Sequence, residues 1–349
     1  MDSLAERFAE HGQACERMGA PLYARLMSVM ADDIRAGGPV AEVCGGWESS
    51  VPEDVVQLRL LAALYRRVLS GREPGLAAYY PNVGGWLDIR GVWPAARRVL
   101  VEDLVRIRSE LSSPPQTNEV GRAAALLVGL SDAVNRTGRH RVRLLEVGAS
   151  GGLNLQVDRF HHSGAGWEWG AADSPVRLHG LVRGTFAPAG FELVERRGCD
   201  LRPVDPRSEE GWLRLRSFCW PDHHDRDARL LQALSMTGRT GWTVDQAAAA
   251  PWLHQMLTEQ DPLDQDPTTV SVVWHSVVAQ YMDQDERQRV QDAIVAASRS
   301  RPIVHVRLEP GRHGLHTFEL RSSVYADGVG DDRHLADVGP HGDPVEMVP

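Results

Sequence analysis

Apolar residues recur at spacings of three and four over the first 137 positions, which is the pattern of helices with one buried face. Proline stands near the start of three of these segments, where a first helical turn tolerates it. We therefore predict an all-helical N-terminal domain over residues 1–137. Its helices are expected at 4–18, 21–36, 52–69, 94–111 and 119–136.

After position 140 the pattern changes to short apolar runs separated by glycine, proline and polar residues, with helical patterns between several of them. Strands that alternate with helices favour a mostly parallel α/β sheet. We predict an α/β core over residues 138–349, interrupted by a tryptophan-rich insertion at about 161–190. Its strands are expected at 141–147, 191–197, 241–245, 269–275, 303–308 and 316–322, with a return strand near 335.

The composition of the chain excludes several classes of protein. The 349 residues carry 38 basic and 47 acidic side chains, a net charge of −9, which argues against a nucleic-acid partner. No apolar run is long enough to span a membrane, and the first residues lack the apolar core of a signal peptide, so we expect a cytoplasmic protein. All the basic residues are arginine. Without lysine, kinases, P-loop NTPases and pyridoxal-type enzymes are excluded.

The string LLEVGASGGLNL at 144–155 predicts a strand, a glycine turn and the start of a helix. As Gly-x-Ser-x-Gly it has the form of a hydrolase nucleophile elbow presenting Ser150. The triad would be completed by Asp245 or Asp264 and by His275 or His305. Such an elbow normally follows several earlier strands, whereas here helices precede it. The hydrolase is therefore the less favoured interpretation.

As Glu-x-Gly-x-Ser-x-Gly the same string matches the first motif of class I S-adenosylmethionine methyltransferases. Its members are Glu146, Gly148, Ser150 and Gly152. Glycines at such a turn allow close approach of the backbone to a cofactor, and the N–H groups of the following helix face it. A glycine turn that only joins a strand to a helix is the alternative.

Two acids follow later strands. Asp200 is expected at the tip of the second strand, where a carboxylate accepts hydrogen bonds from both ribose hydroxyls of a nucleoside. Asp245 stands where a third-strand acid would hold the adenine amino group, although a helix cap is the alternative. These positions extend the predicted cofactor site.

The segment QTNEVGR at 116–122 places several polar groups at the start of an apolar helix. Asn118 is expected to cap that helix, with Glu119 in the first turn. A cap does not explain Arg122, which would weaken a helix start but would suit a carboxylate or sulfate as a two-pronged donor. Asn118 and Arg122 are therefore predicted to bind an anionic group, with Glu119 as a catalytic candidate.

His275 is expected at the carboxyl end of the fourth strand, where an imidazole suits proton removal at neutral pH. A capping or core histidine is the alternative. Asp222 in CWPDHHDR is a candidate active-site acid. The adjacent His223 and His224 cannot share a helix face, and the four cysteines are scattered, so no metal is expected.

The chain resembles the domain-of-unknown-function family 2332, found largely in actinobacteria, in seven strings taken in the family's order. The resemblance implies a Rossmann-like class I methyltransferase sheet preceded by the helical domain, and it implies no particular reaction. Val244 stands where family members tend to have glycine, which weakens the case for adenine binding at Asp245. Tyr80 and Tyr281, from two of the strings, are expected substrate contacts. The strings are YYP at 79–81, QTNEVGR at 116–122, LLEVGASGGLNLQVDRF at 144–160, GCDLRPVD at 198–205, CWPDHHDR at 219–226, WHSVVAQYM at 274–282 and PHG at 340–342.

Three hypotheses follow. The first is a small-molecule methyltransferase of bacterial secondary metabolism, such as antibiotic biosynthesis, that uses S-adenosylmethionine. The second keeps the fold without that cofactor and catalyses an intramolecular displacement or elimination, such as closure of an aziridine ring with loss of an anion. In that case His275 would take the proton and Arg122 would hold the anion. The third is a non-catalytic binding subunit, and a homo-oligomer or a small partner protein is compatible with each.

Overall fold

The computed structural model describes residues 2–50, 54–239, 241–258, 262–311 and 314–348, and the predicted start of a helix at residue 52 lies outside them. No helix in these ranges is long and apolar enough to cross a bilayer. The helices are α1 (Asp2–Arg17), α2 (Pro21–Arg35), α3 (Pro39–Val43), α4 (Val56–Leu69), α5 (Pro74–Ala77), α6 (Val92–Glu102), α7 (Leu104–Glu110), α8 (Ala123–Thr137), α9 (Glu209–Ser217), α10 (His224–Ser235), α11 (Ala249–Thr258), α12 (Pro262–Gln265) and α13 (Gln284–Ala297). The strands are β1 (Arg141–Val147), β2 (His161–Gly164), β3 (Trp167–Gly170), β4 (Arg177–His179), β5 (Val182–Arg183), β6 (Glu192–Asp200), β7 (Thr243–Gln246), β8 (Thr269–Ser276), β9 (Ile303–Gly311), β10 (Gly314–Ala326), β11 (Val329–Val338) and β12 (Val345–Met347).

The chain forms two compact units, and each contains two separate parts of the sequence. Met1–Thr117 and Pro206–Ala228 form the first unit, and Asn118–Asp205 and Arg229–Pro349 form the second. The sequence predicted that the helical domain ends at residue 137. In the structure α8 packs against β8, β9 and β10 and therefore belongs to the second unit, which begins at Asn118. The segment 206–228 belongs to the helical unit because Trp220 is buried in its core.

The second unit is built on a sheet with the strand order β5-β12-β11-β10-β9-β8-β1-β6-β7 within the described residues. The strands β7, β6, β1, β8 and β9 pair in parallel, and β9 to β12 continue as an antiparallel meander. The prediction of a mixed α/β fold with a mostly parallel sheet is confirmed.

Helices cover both faces of the parallel strands. Helix α8 lies on one face, where Gly129 meets Val306 of β9. On the other face, α11 and α13 pack in one buried cluster with β1, β8 and β9. Strand β1 is therefore buried along almost its whole length, and its buried side chains include the charged Arg143 and Glu146 beside the apolar Leu144 and Leu145.

Three local features differ from the sequence prediction. The helix expected at 94–111 is two helices, α6 and α7, that meet at Asp103. The insertion folds as a small sheet of β3, β2 and β4, and β5 joins the edge of the main sheet. After the glycine turn the chain forms a 3₁₀ helix, Leu153–Arg159, instead of the expected α-helix.

The contact between α8 and β9 leads to a stability prediction for Gly129→Ala. Alanine favours a helix by about 1 kcal/mol over glycine. A Cβ at Gly129, however, would lie 2.3 Å from Cγ1 of the stiff, fully buried Val306. We expect a net loss of about 1–3 kcal/mol in the free energy of unfolding, measured by urea titration.

The matched control uses Val306→Ala to make room at that contact. On this background Gly129→Ala should stabilise the chain by up to about 1 kcal/mol, since only helix propensity then remains. Stabilisation by Gly129→Ala in both backgrounds would show that the contact does not constrain α8.

Candidate functional site

The parallel strands of the second unit bring their carboxyl ends to one edge of the sheet. From β1 the chain passes to β6 on one side and later to β8 on the other. In open parallel sheets, ligands bind outside the carboxyl ends of the strands where the strand order reverses in this way. Val147, Asp200, His275 and Glu309 stand at or near these ends. This edge is the candidate site.

His275 and Glu309 form a hydrogen-bonded pair at the ends of β8 and β9. Nδ1 of His275 lies 2.6 Å from Oε1 of Glu309. The same oxygen accepts hydrogen bonds from the backbone N–H groups of Val278, at 3.0 Å, and Ala279, at 3.2 Å. One carboxylate therefore fixes both the imidazole and the loop that follows β8.

The charge of Glu309 fixes the tautomer of His275. Burial raises the pKa of Glu309, but the bonds from His275, Val278 and Ala279 outweigh it, and the pKa lies below its usual value. An ionised Glu309 only accepts hydrogen bonds, so Nδ1 of His275 donates. The other ring nitrogen, Nε2, makes no hydrogen bond within the described residues and remains accessible to take a proton.

A second histidine, His305, lies beside the pair. Its ring centre is 5.0 Å from that of His275, and neither of its buried nitrogens has a hydrogen-bond partner within the described residues. Burial, with a smaller contribution from His275, holds the pKa of His305 well below its usual value, so the ring is neutral. His305 places no positive charge beside His275. The sequence analysis did not identify Glu309. The signal that identified Asp200, an acid at the end of a predicted strand, is also present at Glu309, which follows the predicted strand 303–308.

The loop after β8 contains a strained residue. Val277 has a φ of +57°, a conformation that is unfavourable for a β-branched residue. Its N–H donates to Leu308 O at 2.9 Å, and Glu309 holds the next two amides. Strain of this kind persists only where its surroundings impose it, and it concentrates at functional sites.

The glycine turn after β1 has the left-handed backbone that its sequence predicts, with positive φ at Gly148, Ser150 and Gly152. Side chains of the same unit fill the space beside two of these residues. A Cβ at Gly148 would meet Val278 at 2.3 Å, and one at Gly152 would meet the indole of Trp242 at 2.4 Å. The glycines are therefore required for packing within the chain.

The two predicted nucleoside-binding acids have partners within the chain. Asp200 accepts hydrogen bonds from the N–H groups of Ser150, at 2.9 Å, and Arg202, at 2.8 Å, one on each oxygen. A single oxygen of Asp245 accepts bonds from Arg197 and from the Trp252 indole, both at 2.7 Å. Asp200 supports the glycine turn, and Asp245 joins β6 to α11.

The polar segment before α8 makes different contacts from those predicted. Asn118 does not cap its own helix: its side-chain oxygen accepts from the N–H of Leu153, at 2.9 Å, just after the glycine turn. Glu119 caps the short 3₁₀ helix Val120–Arg122 that precedes α8, accepting from Gly121 N at 3.4 Å. Because α8 begins at Ala123, Asn118 and Arg122 do not share one face of that helix.

Arg122 is held by the C-terminal segment 340–342. Its guanidinium donates to Pro340 O at 3.0 Å, and a Cβ on Gly121 would lie 2.4 Å from His341 O. Oε2 of Glu119 lies 3.6 Å from Nδ1 of His341. Residues 119–122 and the PHG string, far apart in sequence, thus pack together around the buried Arg122.

Glu146 is buried on β1, and its Oε2 has no hydrogen-bond partner in the described part of the chain. Burial raises its pKa to about 8, and the neighbouring Asp200 adds to this while Trp274 and Arg122 oppose it. The carboxyl group is therefore mostly protonated at pH 7.

The remaining predicted residues are not all brought to this edge. Tyr281 follows the strained loop and is 58 % exposed. Tyr80 and Asp222 belong to the first unit. The Ser150 hydroxyl is buried without a hydrogen-bond partner in the described chain, so no base is paired with it as a hydrolase would require. The side chain of Asp264 lies outside the described residues.

The raised pKa of Glu146 leads to a pH prediction. The folded chain binds this proton with a pKa of about 8, against 4.5 for an ordinary glutamate. The stability it contributes is complete below about pH 4.5 and is lost as the pH rises toward 8. The free energy of unfolding is to be measured by urea titration at pH 5 and at pH 8. Between these two pH values, Glu146→Gln should lose about 2–4 kcal/mol less stability than the wild type loses.

The exposed Glu168 provides the control, because Glu168→Gln should keep the wild-type pH dependence. If Glu146→Gln lost as much stability as wild type between the two pH values, Glu146 would not carry the proton.

Comparison with known proteins gives a family and nothing further. A family model described as "uncharacterized protein conserved in bacteria" matches residues 5–347, nearly the whole chain. No curated protein and no solved structure matches the chain. The chain therefore belongs to the domain-of-unknown-function family 2332.

Proposed function

We propose that this chain is an enzyme that acts on a small molecule, with His275 as the general base. The observation that supports this most strongly is the 2.6 Å contact between Nδ1 of His275 and Oε1 of Glu309. A base oriented by a carboxylate, with its second nitrogen accessible, is the arrangement that activates a nucleophile.

The reaction class follows from that arrangement. Nε2 of His275 takes the proton of a substrate amine or hydroxyl as the nucleophile's lone pair forms a bond to an electrophilic carbon. The leaving group departs from that carbon with the bonding electron pair. Glu309 offsets the positive charge that forms on the imidazole. General-base catalysis of this kind is typically worth about 10²–10⁴-fold in rate.

The resemblance to methyltransferases raises S-adenosylmethionine as the source of the electrophilic carbon. The residues assigned to it do not fit that role well, because Asp200 and Asp245 are bonded within the chain. Val278 and Trp242 also occupy the space at the glycine turn. These contacts favour a displacement or elimination within one substrate, such as closure of a small nitrogen ring with loss of an anion.

Arg122 is the residue that would stabilise a departing anion. It is buried, and it lies in the 3₁₀ helix Val120–Arg122, which packs against the 3₁₀ helix that follows the glycine turn. A fixed cation at the sheet edge would stabilise the charge that develops on a departing anion.

Methyl transfer is retained as a second candidate because of one observation. The order β7-β6-β1-β8-β9, all parallel, with an acid at the tip of β6, is the doubly wound arrangement that binds nucleosides. Under this candidate the core would be a Rossmann-like methyltransferase sheet, and a second lone pair on each Asp200 oxygen would accept from the ribose.

The free Nε2 of His275 is testable without a known substrate, by carbethoxylation with diethyl pyrocarbonate at pH 7 and peptide mass mapping. An imidazole whose Nδ1–H is held by a carboxylate presents the lone pair of Nε2 and should react readily there. We expect Glu309→Gln to slow modification of His275 about three- to tenfold, since a neutral amide no longer fixes the tautomer that leaves Nε2 unprotonated. The exposed His254 serves as the internal control and should react at the same rate in both proteins. An unchanged His275 rate would contradict the base assignment.

The cofactor question is settled by calorimetric titration with S-adenosylhomocysteine. We expect no saturable binding up to about 1 mM, which corresponds to a binding free energy weaker than about −4 kcal/mol. Saturable binding that Asp200→Ala weakens by roughly 1.5–3 kcal/mol would instead support methyl transfer, because a charge-assisted hydrogen bond is worth that much.

A further inference from the structure

Three tyrosines meet in the core of the first unit. Tyr23 on α2, Tyr65 on α4 and Tyr80 in the loop after α5 are each at most 1 % exposed. The rings of Tyr65 and Tyr80 stack with centres 5.1 Å apart, and Tyr23 lies 5.9 Å from Trp220. Three phenol hydroxyls are therefore placed in an apolar core, where each needs a hydrogen-bond partner.

One of the three hydroxyls has a partner. Nδ2 of Asn82 donates to the Tyr65 hydroxyl and to Asp227, the latter at 3.0 Å. Arg216 donates to both oxygens of Asp227 at 2.8 Å. This network is complete on the side of Tyr65, and the charges of Arg216 and Asp227 are paired.

Within the described residues, the other two hydroxyls, those of Tyr23 and Tyr80, have no hydrogen-bond partner, and neither has Oδ1 of Asn82. Buried polar groups left unbonded reduce stability unless something else satisfies them. Two hydroxyls and an amide oxygen unsatisfied in one cluster indicate a missing group of matching chemistry.

Asp222 completes the cluster. Its Oδ1 accepts from the N–H of Leu22 at 3.5 Å, while its buried Oδ2 has no partner in the described chain. Its charge adds to the larger effect of burial in raising the pKa values of Tyr23 and Tyr80. Leu22, whose N–H donates to Asp222, and Trp220 belong with the three tyrosines to one buried core. Asp222 is itself partly exposed.

We propose that Tyr23, Tyr80, Asn82 and Asp222 form a binding site for the ammonium group of a small amine. Oδ2 of Asp222 and Oδ1 of Asn82 only accept hydrogen bonds, so the missing group must donate. The carboxylate supplies the opposite charge, and aromatic faces beside it attract a cation. An anion would face the carboxylate of Asp222, and the charge of Arg216 is already paired with Asp227.

The site does not rest on the function proposed for the second unit, and it reassigns two residues. Tyr80, expected from the sequence only as a substrate contact, binds an amine, and Asp222 holds charge and does not transfer a proton. Burial raises the pKa of Asp222, and an ammonium partner would oppose that shift. The first unit thereby recognises one feature of a substrate or effector, a positively charged nitrogen.

The first test compares three identical substitutions in thermal unfolding without ligand. Tyr23→Phe and Tyr80→Phe each remove a hydroxyl that lacks a partner, so each should leave the melting temperature unchanged or raise it by about 2–4 °C. Tyr65→Phe removes a hydroxyl that Asn82 satisfies, so the melting temperature should fall. If all three variants melted lower to the same degree, the hydroxyls would be satisfied within the protein and the proposal would be wrong.

The second test uses ethylammonium chloride as the probe, with sodium acetate as the matched anion, in saturation-transfer NMR of the full chain. We expect the wild type to bind ethylammonium and not acetate. Asp222→Asn keeps the oxygen that accepts from Leu22 but loses the charge, and should weaken ethylammonium binding at least tenfold. Tyr23→Phe and Tyr80→Phe should weaken it as well.

Two results would overturn the proposal. Binding of acetate in place of ethylammonium would show an anion site. Absence of ethylammonium binding, with stable Tyr→Phe variants, would show that the cluster holds water only. Because neither test involves His275, failure here leaves the base assignment in the second unit untouched.

Discussion

The architecture of the second unit depends on how the backbone amides of its buried loops are satisfied. A loop at the carboxyl edge of a parallel sheet has N–H groups without strand partners, and burying them unbonded is unfavourable. Side-chain oxygens from neighbouring segments accept these bonds. Asp200 holds the turn after β1, Asn118 holds Leu153 beyond that turn, and Glu309 holds the loop after β8.

This requirement gives the same residues two roles. Glu309 satisfies loop amides, and because it stays ionised when buried, it also orients His275. Asp200 satisfies the glycine turn with the atoms that a nucleoside would otherwise use. Under our proposal, the glycine turn serves the fold, and the chemistry at the sheet edge belongs to His275 and Glu309.

The sequence located the parallel strands to within three residues and identified the main turn, because short stretches rich in apolar residues are separated there by glycine, proline and polar residues. It did not predict the 3₁₀ helix after the turn, where Asn118 from outside the segment satisfies the first amide. The predicted domain boundary at residue 137 differs from the observed one at 117, because the periodicity of a helix does not show which unit buries it. Glu309 was missed because it lies outside every motif, and its role depends on the pairing of β8 with β9.

The most direct measurement of the central claim is the protonation of the His275 ring. Long-range ¹H–¹⁵N NMR correlations distinguish the two imidazole nitrogens, and His275→Asn assigns the signals. With Glu309 ionised, the neutral ring should carry its proton on Nδ1 and leave Nε2 bare, and Glu309→Gln should reduce that preference. A wild-type ring protonated on Nε2 would contradict the account, because His275 would then have no accessible nitrogen with which to take a proton.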